Sequence, residues 1–155
     1  MPARRCEIAI VNQAGRKPEF DLAKIQAVVD AALTEDDAEQ CALTVLLVDD
    51  VESARLHREH FDDAEPTDVM TFPDGSTDPE SGRRLLGDLA VGIDVARRVG
   101  IERGRAEADE VCLYVLHGLL HLLGYDDEDD HDLSEMWLVQ RRLLAQVGIE
   151  LETEP

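Results

Sequence analysis

The sequence predicts an α/β or α+β domain, with a small mixed four-stranded sheet packed against about five helices. Segments with strand-like patterns are interleaved with segments of helical periodicity. Two predicted strands, 68–72 and 84–93, flank a loop with strong turn chemistry at 74–82, which indicates a hairpin. A chain of 155 residues suits one core, so we expect a single domain over 1–155.

Four strands are expected from short apolar or alternating stretches. EIAIVN alternates weakly, and LTVLLVDD is a buried apolar run bounded by acids. DVMTF is short and lies between two prolines, which is typical of an edge strand, and RLLGDLAVGI completes the hairpin. The expected strands are 7–12, 43–50, 68–72 and 84–93.

Five helices are expected, at 22–34, 51–61, 94–102, 106–123 and 132–146. The stretch 51–61 is helix-like but polar. Asp21 is placed to cap the first helix, and Gly148 to stop the last. The residues expected on the apolar face of the first helix are Leu22, Ile25, Val28, Val29 and Leu33. Those expected to be buried on the last helix are Leu133, Met136, Trp137, Leu143 and Leu144.

The composition is strongly acidic, with 35 acidic residues against 15 basic ones and a net charge of −20. Such a surface repels nucleic acid on average. Adaptation to a salty cytoplasm, where screening is stronger, is the simplest interpretation of the charge.

The cysteines indicate a reducing compartment. Cys6, Cys41 and Cys112 are odd in number, scattered and without a CxxC pair, so we expect free thiols and a cytoplasmic location. MPARRCEIAIVNQAG lacks the apolar run of a signal peptide. The longest apolar stretch, 111–123, falls short of the about 20 residues that cross a bilayer, so no membrane partner is expected.

The stretch HGLLHLLGYDD at 117–127 places two histidines in an apolar helix. Residues 111–123 are apolar around the whole circumference, which is typical of a central, buried helix. Burying an imidazole costs free energy unless it finds a partner. His117 and His121 are four residues apart, so they share a helix face with their Cβ atoms about 5–6 Å apart.

Two interpretations of this pair remain open at this point. Each histidine could be a hydrogen-bonded core residue, or the two could share one metal ion. Gly124 can end the helix in the left-handed conformation and let the chain return a third ligand, either Asp127 or His131. A peptidase of the H-E-x-x-H type lacks its general base here, because Gly118 takes the place of the glutamate.

Three blocks of sequence resemble those of the YbeY family. HGLLHLLGYD at 117–126 resembles the family pattern H-G-x-L-H-L-x-G-Y-D-H. PTDVMTFP at 66–73 resembles P-T-D-V-L-S-F-P, and LGDL at 86–89 resembles L-G-D-I. Their order and spacing agree, so the resemblance covers essentially the whole chain. YbeY proteins are bacterial single-strand-specific endoribonucleases that mature ribosomal RNA and act in ribosome quality control.

The resemblance implies that His117 and His121 are catalytic metal ligands, with one divalent ion, expected to be zinc. The family's third ligand is the histidine that closes the first block, and Asp127 stands there in this chain. A carboxylate can complete such a site. Compared with a third imidazole, it lowers the net charge of a bound divalent ion from +2 to about +1. His131 is the alternative third ligand.

The resemblance also implies an arginine that contacts phosphate shortly before the P-T-D block. An ungapped alignment of LHREHFDDAEPTD (56–68) puts Phe61 at that position. Arg58, one turn back on the same predicted helix, is the expected substitute, with Arg55 a further turn away. The alternative for both is an arginine on the solvated surface.

The expected function is metal-dependent cleavage of single-stranded RNA, in 16S ribosomal RNA 3′-end maturation and ribosome quality control. The expected partners are ribosomal RNA and the ribosome or its proteins, without DNA. Two alternatives are another zinc hydrolase, such as a peptidase, and a catalytically weakened ribosome-associated metal-binding protein. Chelator-sensitive RNA cleavage, peptide cleavage, or metal binding without cleavage would distinguish the three.

Replacing Asp127 with histidine should tighten zinc binding and raise RNA cleavage, because a neutral ligand restores the charge that attracts the anionic substrate. Zinc affinity and the rate of RNA cleavage, measured side by side in Asp127→His and the unaltered protein, check this. A variant with no gain in either quantity contradicts the electrostatic argument.

Overall fold

Strands and helices are interleaved along the chain in the computed structural model, which describes residues 5–35, 40–62, 65–125 and 129–151. The strands are β1 (Cys6–Asn12), β2 (Cys41–Val48), β3 (Val69–Pro73) and β4 (Arg84–Gly92). The helices are α1 (Leu22–Glu35), α2 (Asp50–Phe61), α3 (Ile93–Arg103), α4 (Glu107–Leu122) and α5 (Asp130–Ala145). The predicted α+β class is confirmed.

The four strands form one mixed sheet in the order β1-β2-β4-β3. β1 pairs with β2 and β2 with β4 in parallel, whereas β3 pairs with β4 in antiparallel fashion. The predicted hairpin is therefore present, and its first strand lies at the sheet edge. β2 is central and mostly apolar, and its residues alternate between buried and half-buried until the buried pair at its end.

Helix α4 lies at the centre of the molecule. Every residue from Glu110 to Leu116 is buried, and so are Gly118, Leu119 and Leu120. The helix contacts β3 and β4 on one side and α1, α3 and α5 on others. The all-round apolar sequence predicted this position, and the structure confirms it.

Gly118 sits where α4 comes closest to the sheet. A Cβ atom at this position would lie 2.8 Å from Leu89 Cδ2 and 3.1 Å from Val69 Cγ2. Leu89 is fully buried in β4, so it has little freedom to move. Glycine here allows the helix to approach the hairpin, at the cost of about 1 kcal/mol in helix propensity relative to alanine.

Some residues expected to be buried are exposed. Leu22 is 46% exposed because it opens the first turn of α1, and Leu133 is 36% exposed on α5. Trp137 is only half-buried. Helical periodicity identified the inward face of α5 correctly at Met136, Leu143 and Leu144, but its first turns face an open cleft instead of the core.

Two of the differences between predicted and observed element ends arise because acidic residues cap helices. β2 stops at Val48, since the Asp49 side chain accepts a hydrogen bond from Glu52 N and caps α2. α5 starts at Asp130, two residues earlier than expected, because Asp129 caps it through Asp132 N at 2.8 Å. Gly124 has φ of +102°, the positive φ expected for the residue after α4.

The three cysteines, all within the described residues, form no disulfide and are buried. Burial raises the pKa of the Cys6 and Cys112 thiols to about 12, so both remain protonated at neutral pH. Among the described residues, each helix is too short or too polar to cross a membrane.

Replacing Gly118 with valine should lower the free energy of unfolding by about 1–3 kcal/mol, because the added methyl groups overpack α4 against Leu89 and Val69. Urea denaturation measures the change. Gly15→Val is the control, since a Cβ at Gly15 meets nothing within 4 Å. Equal stability of the two variants would contradict the close-packing interpretation.

Candidate metal centre

The rings of His117 and His121 converge at the last two turns of α4. Their Nε2 atoms lie 3.2 Å apart, with ring centroids at 4.7 Å and an interplanar angle of 80°. Two nitrogens bound to one tetrahedral zinc at about 2.0–2.1 Å each are about 3.3 Å apart. The spacing of the two Nε2 atoms therefore fits one shared ion.

Gln140 on α5 orients the first of these rings. Its Oε1 accepts a hydrogen bond from His117 Nδ1 at 2.8 Å, and the Gln140 side chain is 3% exposed. An amide oxygen only accepts, so Nδ1 carries the proton and the lone pair of Nε2 faces His121. A ligand histidine held by a hydrogen bond from its other nitrogen is the usual arrangement in metal sites.

The same geometry also allows the two histidines to hydrogen-bond to each other without an ion. His121 Nε2–H can donate to His117 Nε2 while His117 Nδ1 donates to Gln140, so both nitrogens of His117 have partners. The ligand geometry therefore exists before an ion enters. For the pair to bind an ion, the proton on His121 must move from Nε2.

The two candidates for the third ligand have different positions. Asp127 falls outside the described residues. His131 lies on the first turn of α5, where its ligand atom is within 4.8 Å of those of Asp132 and Glu135. Among the described ranges, this is the one group in which three His, Cys or carboxylate ligands come together. His117 and His121 are not members of it.

The two histidines lie in a groove of about 210 Å³, here called the histidine groove. Its other walls are residues 67–71 at the start of β3, and His57 and Phe61 on α2. Asp68 Oδ1 accepts hydrogen bonds from Val69 N at 2.7 Å and Thr67 Oγ1 at 3.2 Å, which hold the carboxylate in place. His57 Nδ1 is hydrogen-bonded to Glu65 O at 2.8 Å.

A larger cleft of about 500 Å³ adjoins the groove on the other side of His117. It is called the tryptophan cleft here, and α3, α4, α5 and residues 66–68 form its walls. Thr67, Asp68 and His117 line both spaces. The histidine pair therefore lies at the junction of two openings.

Comparison with known proteins supports the resemblance of the three sequence blocks to the YbeY family. A family model described as Endoribonuclease YbeY matches residues 10–148.

The chain belongs to the YbeY endoribonuclease family.

Relatives and a solved structure extend the match over most of the chain. The Endoribonuclease YbeY of Salinispora tropica is 38% identical over 149 residues, covering 89% of this chain and 94% of that protein. That of Halorhodospira halophila is 36% identical over 146 residues, covering 92% and 93%. The solution structure of TM1509 from Thermotoga maritima has a TM-score of 0.57 at 26% identity, covering 91% and 89%.

YbeY membership confirms the family predicted from the three blocks and the enzyme class with it, a hydrolase of RNA phosphodiester bonds. The three sequence blocks lie next to one another in the structure. PTDVMTFP supplies the wall of the histidine groove, and LGDL contributes Leu89, which packs under Gly118. HGLLH carries the two rings.

On α2 the structure separates the residues that reach the groove from those that do not. His57 and Phe61 line it, and Phe61 is 50% exposed. Arg58 is exposed on the adjacent face, outside the lining of either space, and it makes no ion pair with a described residue. Arg55 is bound to Glu52 at 2.5 Å and to Glu59 at 2.9 Å.

Sequence reasoning missed Gln140. The available signal was a polar residue among the apolar positions of α5, at the spacing of Met136, Leu143 and Leu144. It carries little information alone, because the partner of Gln140 is 23 residues away in sequence. Asp88, the carboxylate of the LGDL block, is exposed and lines neither space.

Replacing Gln140 with methionine should weaken zinc binding about 10–100-fold, because His117 loses the acceptor that fixes its ring and tautomer. Zinc affinity is measured by competition with a chelating dye. Gln146→Met is the matched control, because Gln146 is exposed and lies at the C-terminal end of the same helix. Retention of full zinc affinity in Gln140→Met would contradict the orienting role.

Proposed function

We propose that this chain cleaves single-stranded RNA at a metal ion held by His117, His121 and Asp127. The observation that carries the proposal is the 3.2 Å separation of the two Nε2 atoms on the wall of an open groove. Zinc is the proposed ion, since two imidazoles and a carboxylate are a common catalytic zinc set. His131 remains the alternative third ligand.

A divalent ion bound there supplies electrostatic stabilisation of a phosphoryl oxygen. Orientation of the ligands and proton transfer depend on side chains of the protein. Gln140 holds His117 in the tautomer that presents Nε2. Asp68 lines both spaces and its Oδ1 is held by Val69 N and Thr67 Oγ1. Its carboxylate is the proposed acceptor for the proton of the hydroxyl, from water or the ribose 2′-OH, that attacks phosphorus, while the bond from phosphorus to the leaving ribose oxygen breaks and that oxygen takes a proton from solvent.

The histidine groove favours an unpaired strand. The volume of about 210 Å³ is smaller than is usual for a small-molecule site, which favours part of a single nucleotide over a base-paired duplex. Phe61, half exposed in its wall, offers a face on which a base can stack, and such stacking is tolerant of sequence. In this proposal, stacking on Phe61 partly replaces the phosphate contact that the family's arginine would make.

Arg58 is the proposed phosphate contact from α2. It is adjacent to His57 in sequence and is free of ion pairs among the described residues, whereas Arg55 is occupied by Glu52 and Glu59. An exposed arginine side chain is long enough to reach a backbone phosphate beside the groove. A contact of this kind supports binding without reading sequence.

The proposed biological role is maturation of the 16S ribosomal RNA 3′ end and ribosome quality control, in the cytoplasm. It rests on family membership and on the reduced, buried cysteines. Ribosomal RNA and the ribosome or its proteins are the proposed partners, with neither DNA nor membrane among them. The chain acts as a single domain over 1–155 in this proposal.

A peptidase is disfavoured by packing as well as by motif. The glutamate of an H-E-x-x-H site would have to replace Gly118, whose Cα faces Leu89 and Val69. A carboxylate there would point into the apolar contact between α4 and the sheet, away from the groove. The general base of that mechanism has no place in this helix.

His121→Ala should lose bound metal and abolish chelator-sensitive cleavage of single-stranded RNA, because the ion loses one of its three proposed ligands and half of its imidazole pair. Metal content by mass spectrometry and cleavage of a labelled oligonucleotide are measured together. His60→Ala is the control, since His60 packs on Phe72 and does not line the groove. Unchanged metal content in His121→Ala would remove the ligand assignment.

A further inference from the structure

Another pocket lies away from both openings at the histidine pair, and it is called the arginine pocket here. Its volume of about 370 Å³ is within the range of about 300–1,000 Å³ that is usual for small-molecule sites. Its walls come from the segment between β1 and α1, from α3, and from the start of α4. Among the described residues, none lines both this pocket and either the histidine groove or the tryptophan cleft.

The arginine pocket is positively charged in a strongly acidic protein. Four of the chain's 15 basic residues line it, with two acidic residues, Glu19 and Glu107, among them. The four basic residues are Arg16, Lys17, Arg97 and Arg105. Four positive charges less two negative ones leave the described wall with two net positive charges, whereas the whole chain has a net charge of −20. A local excess of cations in such a chain favours an anionic ligand.

Two of these arginines are held in place by buried carboxylates. Arg16 Nη2 binds Glu107 Oε1 at 2.6 Å, and the Glu107 side chain is 7% exposed. The same guanidinium contacts Asp94 Oδ1 at 3.3 Å. Arg105 Nε is paired with Glu110, which is 1% exposed. Side chains fixed in this way lose little conformational entropy when a ligand binds beside them.

The other two cations of the wall are available to a ligand. Lys17 and Arg97 are exposed, and neither forms an ion pair with a described residue. Lys24 and Arg98, by contrast, are each paired with an aspartate. A guanidinium donates two parallel hydrogen bonds to a phosphate group, and an ammonium is a compact charge that also binds phosphate. The combination of Lys17 and Arg97 therefore matches a ligand that carries phosphate.

We propose that the arginine pocket binds a small anion that carries a diphosphate group. Such a group has more than one negative charge at neutral pH, which balances the net positive charge of the wall. Lys17 and Arg97 contact the phosphate oxygens, and Arg16 and Arg105 contribute fixed positive charge. Ile101, 75% exposed in the same wall, offers an apolar surface to an organic part of the ligand.

The position of the pocket on α3 separates this ligand from the RNA. Arg97 and Ile101 line the arginine pocket, whereas Val95, Val99 and Arg103 line the tryptophan cleft. Residues two apart on a helix point about 200° away from each other, so the two sets lie on opposite sides of α3. A strand bound at the histidine pair would have to cross the helix to reach the arginine pocket. Binding there does not depend on the proposed RNA cleavage.

The test is isothermal titration calorimetry of the full chain with pyrophosphate at low ionic strength. Pyrophosphate should bind, and its affinity should fall as salt is added because the interaction is screened. Orthophosphate should bind about tenfold more weakly, since one phosphate group cannot contact both Lys17 and Arg97. Absence of pyrophosphate binding, or equal affinity for the two anions, would overturn the site.

Two pairs of variants locate the binding. Arg97→Gln and Lys17→Gln should each weaken pyrophosphate binding about tenfold through loss of a charge-assisted hydrogen bond. Arg98→Gln and Lys24→Gln are the matched controls, because each removes the same charge from a residue outside the pocket wall. The controls should change the affinity about twofold at most. Equal weakening within both pairs would indicate diffuse attraction to the chain and would overturn the site.

Two further titrations exclude binding at the proposed cleavage site. Pyrophosphate can also bind a metal ion, so its affinity is measured in His121→Ala, where it should equal that of the unaltered protein. Loss of pyrophosphate binding in His121→Ala would place the anion at the metal ion and overturn the arginine pocket. A saturating single-stranded oligonucleotide should leave pyrophosphate bound, and displacement would mean that the pocket holds the RNA backbone instead of a small anion.

Discussion

Close packing of α4 on the hairpin, at the contact of Gly118 with Leu89 and Val69, determines where both histidines lie. Gly118 follows His117 directly, so the helix cannot move away from the sheet without displacing that ring. On the opposite side, Gln140 holds His117 from α5. Interiors packed at this density leave side chains few alternative positions, and the two Nε2 atoms are kept facing each other as a result.

The parts of the site that depend on local geometry could be predicted from the sequence. His117 and His121 share a helix face because of their spacing, and α4 is central because it is apolar all round. Contacts between distant segments could not be predicted in the same way. Gln140 reaches His117 only because of how α5 packs on α4. The rotation of α2 that brings His57 and Phe61, but not Arg58, to the groove is likewise a tertiary property.

The error at Leu133 and Trp137 has the same origin. Helical periodicity identifies the apolar side of α5, but it does not indicate whether that side meets other side chains or an opening. At Met136, Leu143 and Leu144 it meets the core, and at the first turns it meets the tryptophan cleft. An apolar face is therefore weak support for burial near a site. Tertiary contacts also decide which basic side chains are occupied. Four arginines form ion pairs with carboxylates of this acidic protein: Arg16, Arg55, Arg98 and Arg142.

The position of His117 between two openings has a consequence for product release. The histidine groove is walled by α2, α4 and β3, and the tryptophan cleft by α3, α4 and α5. If RNA is cleaved at His117 as proposed, the two product ends would lie against different walls. Each fragment could then leave through its own opening. Turnover would be limited by whichever fragment dissociates more slowly.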